Sequence, residues 1–146
     1  MRLPHVENGQ ARIDEGWLQG RTAYGGASAA IALMAAKAAN TGLPPLRSAQ
    51  IAFVGPLAGD VMTSPVLLRR GKNSAFIGVD VSSAEGVGLR ALFLFMAPRD
   101  SAVRHGDLAV ALPSMPEDAM IDGSTIGPGF LANFELAKAG DPVPGN

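Results

Sequence analysis

Gly25-Gly26-Ala27-Ser28-Ala29-Ala30-Ile31-Ala32-Leu33-Met34-Ala35-Ala36-Lys37-Ala38-Ala39-Asn40 is the stretch on which the fold turns. From Ala27 onward it is built of strong helix formers, which predicts a helix over about Ala27 to Ala39. Asn40-Thr41-Gly42 and then Pro44-Pro45 end it, because Gly frees the turn and Pro cannot continue the hydrogen-bond ladder. Ser28, Lys37 and Asn40 are its only polar side chains. A helix this apolar on nearly every side has to be covered on most of them.

The residues on either side supply a cover. Upstream, residues 8–20 are polar and mixed, with Trp17 as the one large anchor and a short strand expected near Gln10 to Ile13. Gly20-Arg21-Thr22-Ala23-Tyr24-Gly25-Gly26 is a turn-rich approach to the helix. Downstream come four strand-like segments, Ser48 to Val54, Val61 to Arg70, Ala75 to Ser83 and Val87 to Met96. The clearest alternation puts Ile77, Val79 and Val81 on one face and Gly78, Asp80 and Ser82 on the other. Leu89 to Met96 is almost continuously apolar, as for a central strand covered on both faces. The breaks at Arg70-Gly71-Lys72-Asn73 and Ser83-Ala84-Glu85-Gly86 are short hairpins, so the sheet is antiparallel. One apolar helix beside an antiparallel meander packs most simply with the sheet curled around the helix. That is the α+β hotdog architecture, with Ile31, Leu33, Met34, Phe53, Val79 and Leu92 expected in or beside the core.

After Pro98 the texture changes. Residues 99–128 carry prolines, glycines and scattered charges and are expected to form a linker. Phe130-Leu131-Ala132-Asn133-Phe134-Glu135-Leu136 then alternates like a new strand. The expected organisation is a hotdog domain over 1–98, a linker over 99–128, and over 129–146 the truncated first strand of a second hotdog.

Composition narrows the function classes. The 146 residues are 47% hydrophobic and 17% charged, which allows a buried core without metal or disulfide support. A net charge of −1 gives no footprint for nucleic acid or an anionic membrane surface. With no cysteine there is no thiolate chemistry, and the two histidines, His5 and His105, lack any metal-ligand spacing. Neither a cofactor nor a metal is expected. The N-terminus lacks the apolar core of a signal peptide, and the longest apolar run, Ala29 to Ala36, is far short of the ~20 residues of a membrane span. A cytoplasmic protein is the expectation.

Trp17, Gly20-Arg21 and Tyr24-Gly25-Gly26 running into an Ala-rich helix resemble the tesB-type acyl-CoA thioesterases (thioesterase II). Ser48 to Pro56 is similar to that family's strand ending in a Phe-x-x-Pro turn, and Leu68-Arg69-Arg70-Gly71-Lys72-Asn73-Ser74 to its Arg-x-Gly-Arg/Lys hairpin. Phe130 to Leu136 looks like the strand opening the second hotdog. The resemblance runs over residues 12–136 and rests on the order and spacing of these motifs. It implies a double hotdog hydrolysing fatty acyl-CoA, with an Asp, a Thr and a Gln in the second hotdog activating water. None of the three maps onto this chain. In other hotdog thioesterases the acid stands on the helix, near the position of Leu33, yet no Asp or Glu lies between Gly26 and Asn40. Water activation needs a base within hydrogen-bond reach, so the chain alone is expected to be a poor hydrolase.

Two groups remain as candidate contacts for an acyl-CoA or related thioester. Tyr24, Gly25 and Gly26 open the helix, where unpaired amides can polarise a carbonyl; the bland alternative is that the glycines only let the chain turn. Arg69, Gly71, Lys72, Asn73 and Ser74 form a hairpin rim suited to the phosphates of CoA, against the alternative of a solvated turn. Gly26-Ala27-Ser28-Ala29-Ala30 falls short of a nucleophile elbow, and Ser28 is expected to hydrogen-bond within its own turn. Gly71-Lys72-Asn73-Ser74 is no phosphate-binding P-loop, because Val66 stands where the first Gly belongs. The expected partner is a second hotdog domain or another copy of the chain. The alternative function is a non-catalytic acyl-CoA-binding or structural half.

Overall fold

The computed structural model describes residues 4–103 and 120–137. Its elements are β1 (Val6–Glu7), β2 (Gln10–Ile13), a 3₁₀ turn at Glu15–Trp17, β3 (Leu18–Gln19), β4 (Thr22–Ala23), α1 (Gly25–Ala38), β5 (Leu46–Phe53), β6 (Gly59–Arg70), β7 (Ser74–Ser83), β8 (Gly86–Met96), β9 (Met120–Ile121), a second 3₁₀ turn at Gly129–Asn133, and β10 (Leu136–Ala137). Six strands form one antiparallel sheet in the order β1-β2-β6-β7-β8-β5, with α1 packed across β6, β7 and β8. The expected helix, the four long strands and the Gln10–Ile13 strand are all present. Pro65 lies in β6 beyond the stretch paired with β2, so its lacking N–H breaks no ladder on that side.

The core sits between α1 and the inner face of the sheet. Ile31, Ala32, Ala35 and Ala36 meet Ile77, Val79, Val81, Leu89, Ala91, Phe93 and Phe95, all 2% exposed or less. The alanines are small enough to let the helix backbone approach the sheet, so the large side chains can come mainly from the strands. In β7 the predicted alternation holds residue by residue, with Ala75, Ile77, Val79 and Val81 buried. Leu33 and Met34 are partly buried against the core.

Two core expectations fail. Phe53, at the end of the edge strand β5, is 65% exposed, its ring lying beside the start of α1 at Gly25 rather than within the core. Leu92 lies on the outer face of β8, half-buried, since that strand alternates and is covered on the α1 side only. The apolar run Leu89 to Met96 thus reflects a sheet whose outer face keeps apolar side chains, not a strand covered twice.

Residues 130–136 also differ from the expected strand. Phe130 to Asn133 belong to a 3₁₀ turn, and only Leu136–Ala137 pair, antiparallel to Met120–Ile121. The two phenylalanines are four residues apart, a spacing that a helical turn also places on one side. Phe130 stacks on Tyr24 with centroids 4.4 Å apart, and Phe134 meets Tyr24 edge-on at 5.6 Å and Trp17 at 6.1 Å. Asn133 Nδ2 donates to the Gly16 carbonyl at 2.7 Å. The segment is strapped onto the first domain rather than standing free of it. Of the expected linker, residues 104–119 lie outside the described residues, as do 138–146 of the expected strand region.

Candidate functional site

The backbone reaches α1 through β3 and β4, a two-residue hairpin held by Tyr24 N–H donating to Trp17 O at 2.8 Å and Ala23 N–H to Leu57 O at 2.7 Å. The Tyr24 carbonyl then accepts from Ala27 N–H at 2.9 Å and Ser28 N–H at 3.3 Å, closing the first turn. No side chain caps this end. Gly25 and Gly26 keep the free N–H groups usual at a helix start.

A groove of about 590 Å³ opens beside this turn, within the size range of small-molecule sites. Its walls are Gly25 and Ser28 of α1, Phe53 and Val54 at the end of β5, and Leu57 and Gly88 below them. The floor is tight: Leu57 lies against Gly88 so closely that a Cβ at Gly88 would overlap its side chain. The Phe53 ring stands 2.9 Å from where a Gly25 Cβ would be, so glycine there keeps the helix start open to the groove. Arg21 stands at the rim, and Thr22 Oγ1 accepts from Leu57 N–H at 3.0 Å. Among the described residues, neither a carboxylate nor an imidazole lines the groove.

Only Gly25 among the eight residues singled out from sequence lines this groove. The Tyr24 ring turns the other way, one face taken by Phe130, and packs against Gly26. The hairpin residues lie at the opposite end of the helix. Gly71 and Asn73 are engaged in the turn, Gly71 N–H donating to Ser74 O and Ala97 N–H to Asn73 O, both at 2.8 Å. Arg70 donates to the Thr41 and Gly42 carbonyls, just past the end of α1. Arg69 and Lys72 are exposed and form no ion pair among the described residues. Within one domain the two candidate groups are not brought together: β5, which runs from one end to the other, spans about 25 Å at ~3.3 Å per residue.

Ser28 departs from expectation. Its hydroxyl makes no hydrogen bond with its own turn or with any other described residue, although the residue is 3% exposed. Phe53, Leu57 and Gly88 were not legible as groove residues, since each comes from a different loop or strand end. A larger cleft, about 760 Å³, lies at the far edge of the sheet by His5, Gln10, Arg12 and Asp60. Arg12 and Asp60 there are spent on each other, Arg12 Nη1 donating to Asp60 Oδ1 at 2.8 Å, and no helix start among the described residues opens into it. That bond raises the Arg12 pKa further above its ordinary value. Asp80 is held by Arg90 through two bonds of 2.7 Å on the outer face, which lowers its pKa.

One helix laid on an antiparallel sheet of this order, with a groove at the helix start, defines a hotdog-fold domain. Residues 13–96 match the family described as acyl-CoA thioesterase N-terminal domain, and the chain belongs to that family. Similar solved structures include a hotdog protein of unknown function from Alicyclobacillus acidocaldarius, 16% identical with a TM-score of 0.72, covering 88% of this chain and 49% of that one. The tesB protein of Mycobacterium avium subspecies paratuberculosis is 20% identical with a TM-score of 0.60, covering 75% and 44%. A Bacillus halodurans protein solved with CoA is 17% identical with a TM-score of 0.54, covering 63% and 67%. The chain thus spans about half the length of the first two. No curated protein matches the sequence. No helix among the described residues is long and apolar enough to cross a membrane.

Proposed function

We propose that this chain is the acyl-CoA-binding half of a thioesterase whose active site is completed by a second hotdog, following in the same chain or supplied by another copy. The observation that carries the reading is the groove at the start of α1, where the described residues offer carbonyl-polarising donors but no base, beside a sheet edge that no other described strand pairs. That edge is β5, eight residues long, with both faces largely exposed and, among the described residues, only β8 beside it. Long open edges are normally paired or covered. An antiparallel neighbour along β5 would set the Phe53 end of one hotdog beside the Leu46 end of the other. The partner's counterpart of the Arg69–Ser74 hairpin would then approach this groove. On this reading the helix start receives the thioester, the basic hairpin meets the phosphates of CoA, and the second hotdog contributes the base. The fold of the Bacillus halodurans protein solved with CoA is in keeping with such a ligand. Fatty acyl-CoA in the cytoplasm remains the proposed setting.

The test is thiol release from short-, medium- and long-chain acyl-CoAs by the 146-residue chain, with light scattering at micromolar concentration alongside. We expect turnover far below 1 s⁻¹, an ordinary enzyme's floor, and at least twice the chain mass. Turnover near 1 s⁻¹ from a clean monomer would overturn both halves of the reading. A non-catalytic acyl-CoA-binding role is the second reading, favoured by the lack of any base in the groove among the described residues. It wins if the chain binds acyl-CoA and joining a second hotdog still brings no hydrolysis.

A further inference from the structure

Ser28 is the residue whose surroundings least explain it. It lies on the second turn of α1, three residues after Gly25 and so on the same helix face, and both line the groove. The residue is 3% exposed, and its hydroxyl finds no partner among the described residues. The described fold gives this hydroxyl no hydrogen bond, and alanine, which surrounds it on this helix, would be the better helix former. The oxygen is not sealed into the core, for no fully enclosed side-chain polar atom lacks a partner among the described residues. It faces the groove. As a nucleophile Ser28 finds nothing among the described residues to take its proton, since neither imidazole nor carboxylate of theirs lines that groove. What it can do is donate.

We infer that Ser28 Oγ–H is a ligand-binding donor that, with Gly25 N–H, grips the acyl carbonyl oxygen of a bound thioester. The inference rests on the thioester reading above and adds a named residue and a named atom to it. Two donors one turn apart on one face suit a single carbonyl oxygen, and Leu57 and the Phe53 ring give the groove apolar walls beside it. A hydrogen bond formed against such walls counts for more than one in open solvent.

Titrating the 146-residue chain and its Ser28→Ala variant with octanoyl-CoA, and separately with free CoA, tests this. Free CoA has every group of the ligand except the acyl carbonyl and its chain. The variant is expected to bind octanoyl-CoA about 3- to 10-fold more weakly, the worth of one ordinary hydrogen bond, while its affinity for CoA stays unchanged. Its Tm is expected to hold or rise slightly, since the hydroxyl gives the fold no bond and alanine is the better helix former. Equal affinity of both proteins for octanoyl-CoA overturns the role of Ser28 alone. A fall in Tm overturns it too, by revealing a structural hydroxyl. If the unaltered chain binds neither compound, the thioester reading fails and this inference fails with it.

Discussion

The two ends of α1 are built on opposite plans. At the C-terminal end, Asn40 Nδ2 donates to the Ala36 carbonyl at 3.0 Å, and Arg70 reaches across from β6 to the Thr41 and Gly42 carbonyls at 3.1 and 3.0 Å. With Ala39 N–H on the Ala35 carbonyl and Asn40 N–H on that of Lys37, the last helical acceptors are largely met, and Arg70 secures the turn just beyond them. At the N-terminal end no side chain caps the helix, two glycines leave amides open, and Ser28 is unused by the fold. One end is finished for stability. The other is held in place from outside, by the strap of Phe130 and Phe134 on Tyr24, and stays open toward the groove. Proteins commonly give up some stability where they bind, and on the proposed reading the open end is where this one does so.

The largest effect should come from removing what holds the open end. Phe130→Ala deletes a nearly buried ring stacked on Tyr24 and leaves a hole beside the start of α1. We expect about 2 kcal/mol of lost stability, below the ~3–5 kcal/mol of a fully enclosed phenylalanine because the strap lies at the surface. Trp17 is the only tryptophan and touches Phe134, so its emission should shift to the red as the strap loosens. Unchanged emission and an unchanged urea midpoint would show that the strap holds nothing.

A smaller loss is expected at the finished end. Arg70→Ala removes two charged hydrogen bonds from an exposed guanidinium, at about 0.5–1 kcal/mol. Octanoyl-CoA affinity should not follow that loss if binding belongs to the other end. A parallel fall in affinity would break the comparison. The smallest effect is on the outer face, away from both ends. Arg90 lowers the Asp80 pKa in the folded chain, so the pair's contribution is fully present above the ordinary Asp value near ~3.9 and fades as pH falls through the lower folded value. Asp80→Asn should remove that part of the acid sensitivity below about pH 4 and leave stability at pH 7 almost unaltered, as for an exposed pair. Equal acid unfolding curves for the two proteins would show the pair to be idle.

Local pattern carried much of the fold. The alternation of Ile77, Val79 and Val81, the glycines and asparagine of the hairpins, and the alanine-rich helix each act within a few residues, where side-chain period and turn geometry decide the outcome. Pattern alone misjudged Phe53, Leu92 and the segment 130–136. An apolar side chain on a strand looks the same whether its sheet is central or at an edge, and Phe130 with Phe134 fits either a strand's alternation or a helical turn.

By itself, then, the sequence determined one apolar helix, four long antiparallel strands, and the lack of any acid on the helix. These follow from residue type and spacing. Only the tertiary structure decided that β5 is an edge, that Tyr24 serves the strap rather than the groove, that the basic hairpin lies at the far end of α1, and that the Ser28 hydroxyl is unused. The physical reason is that spacing tells which face of an element is apolar. Whether another layer arrives to cover that face, and which polar atoms remain unpaired when it does, depends on contacts between residues far apart in the chain.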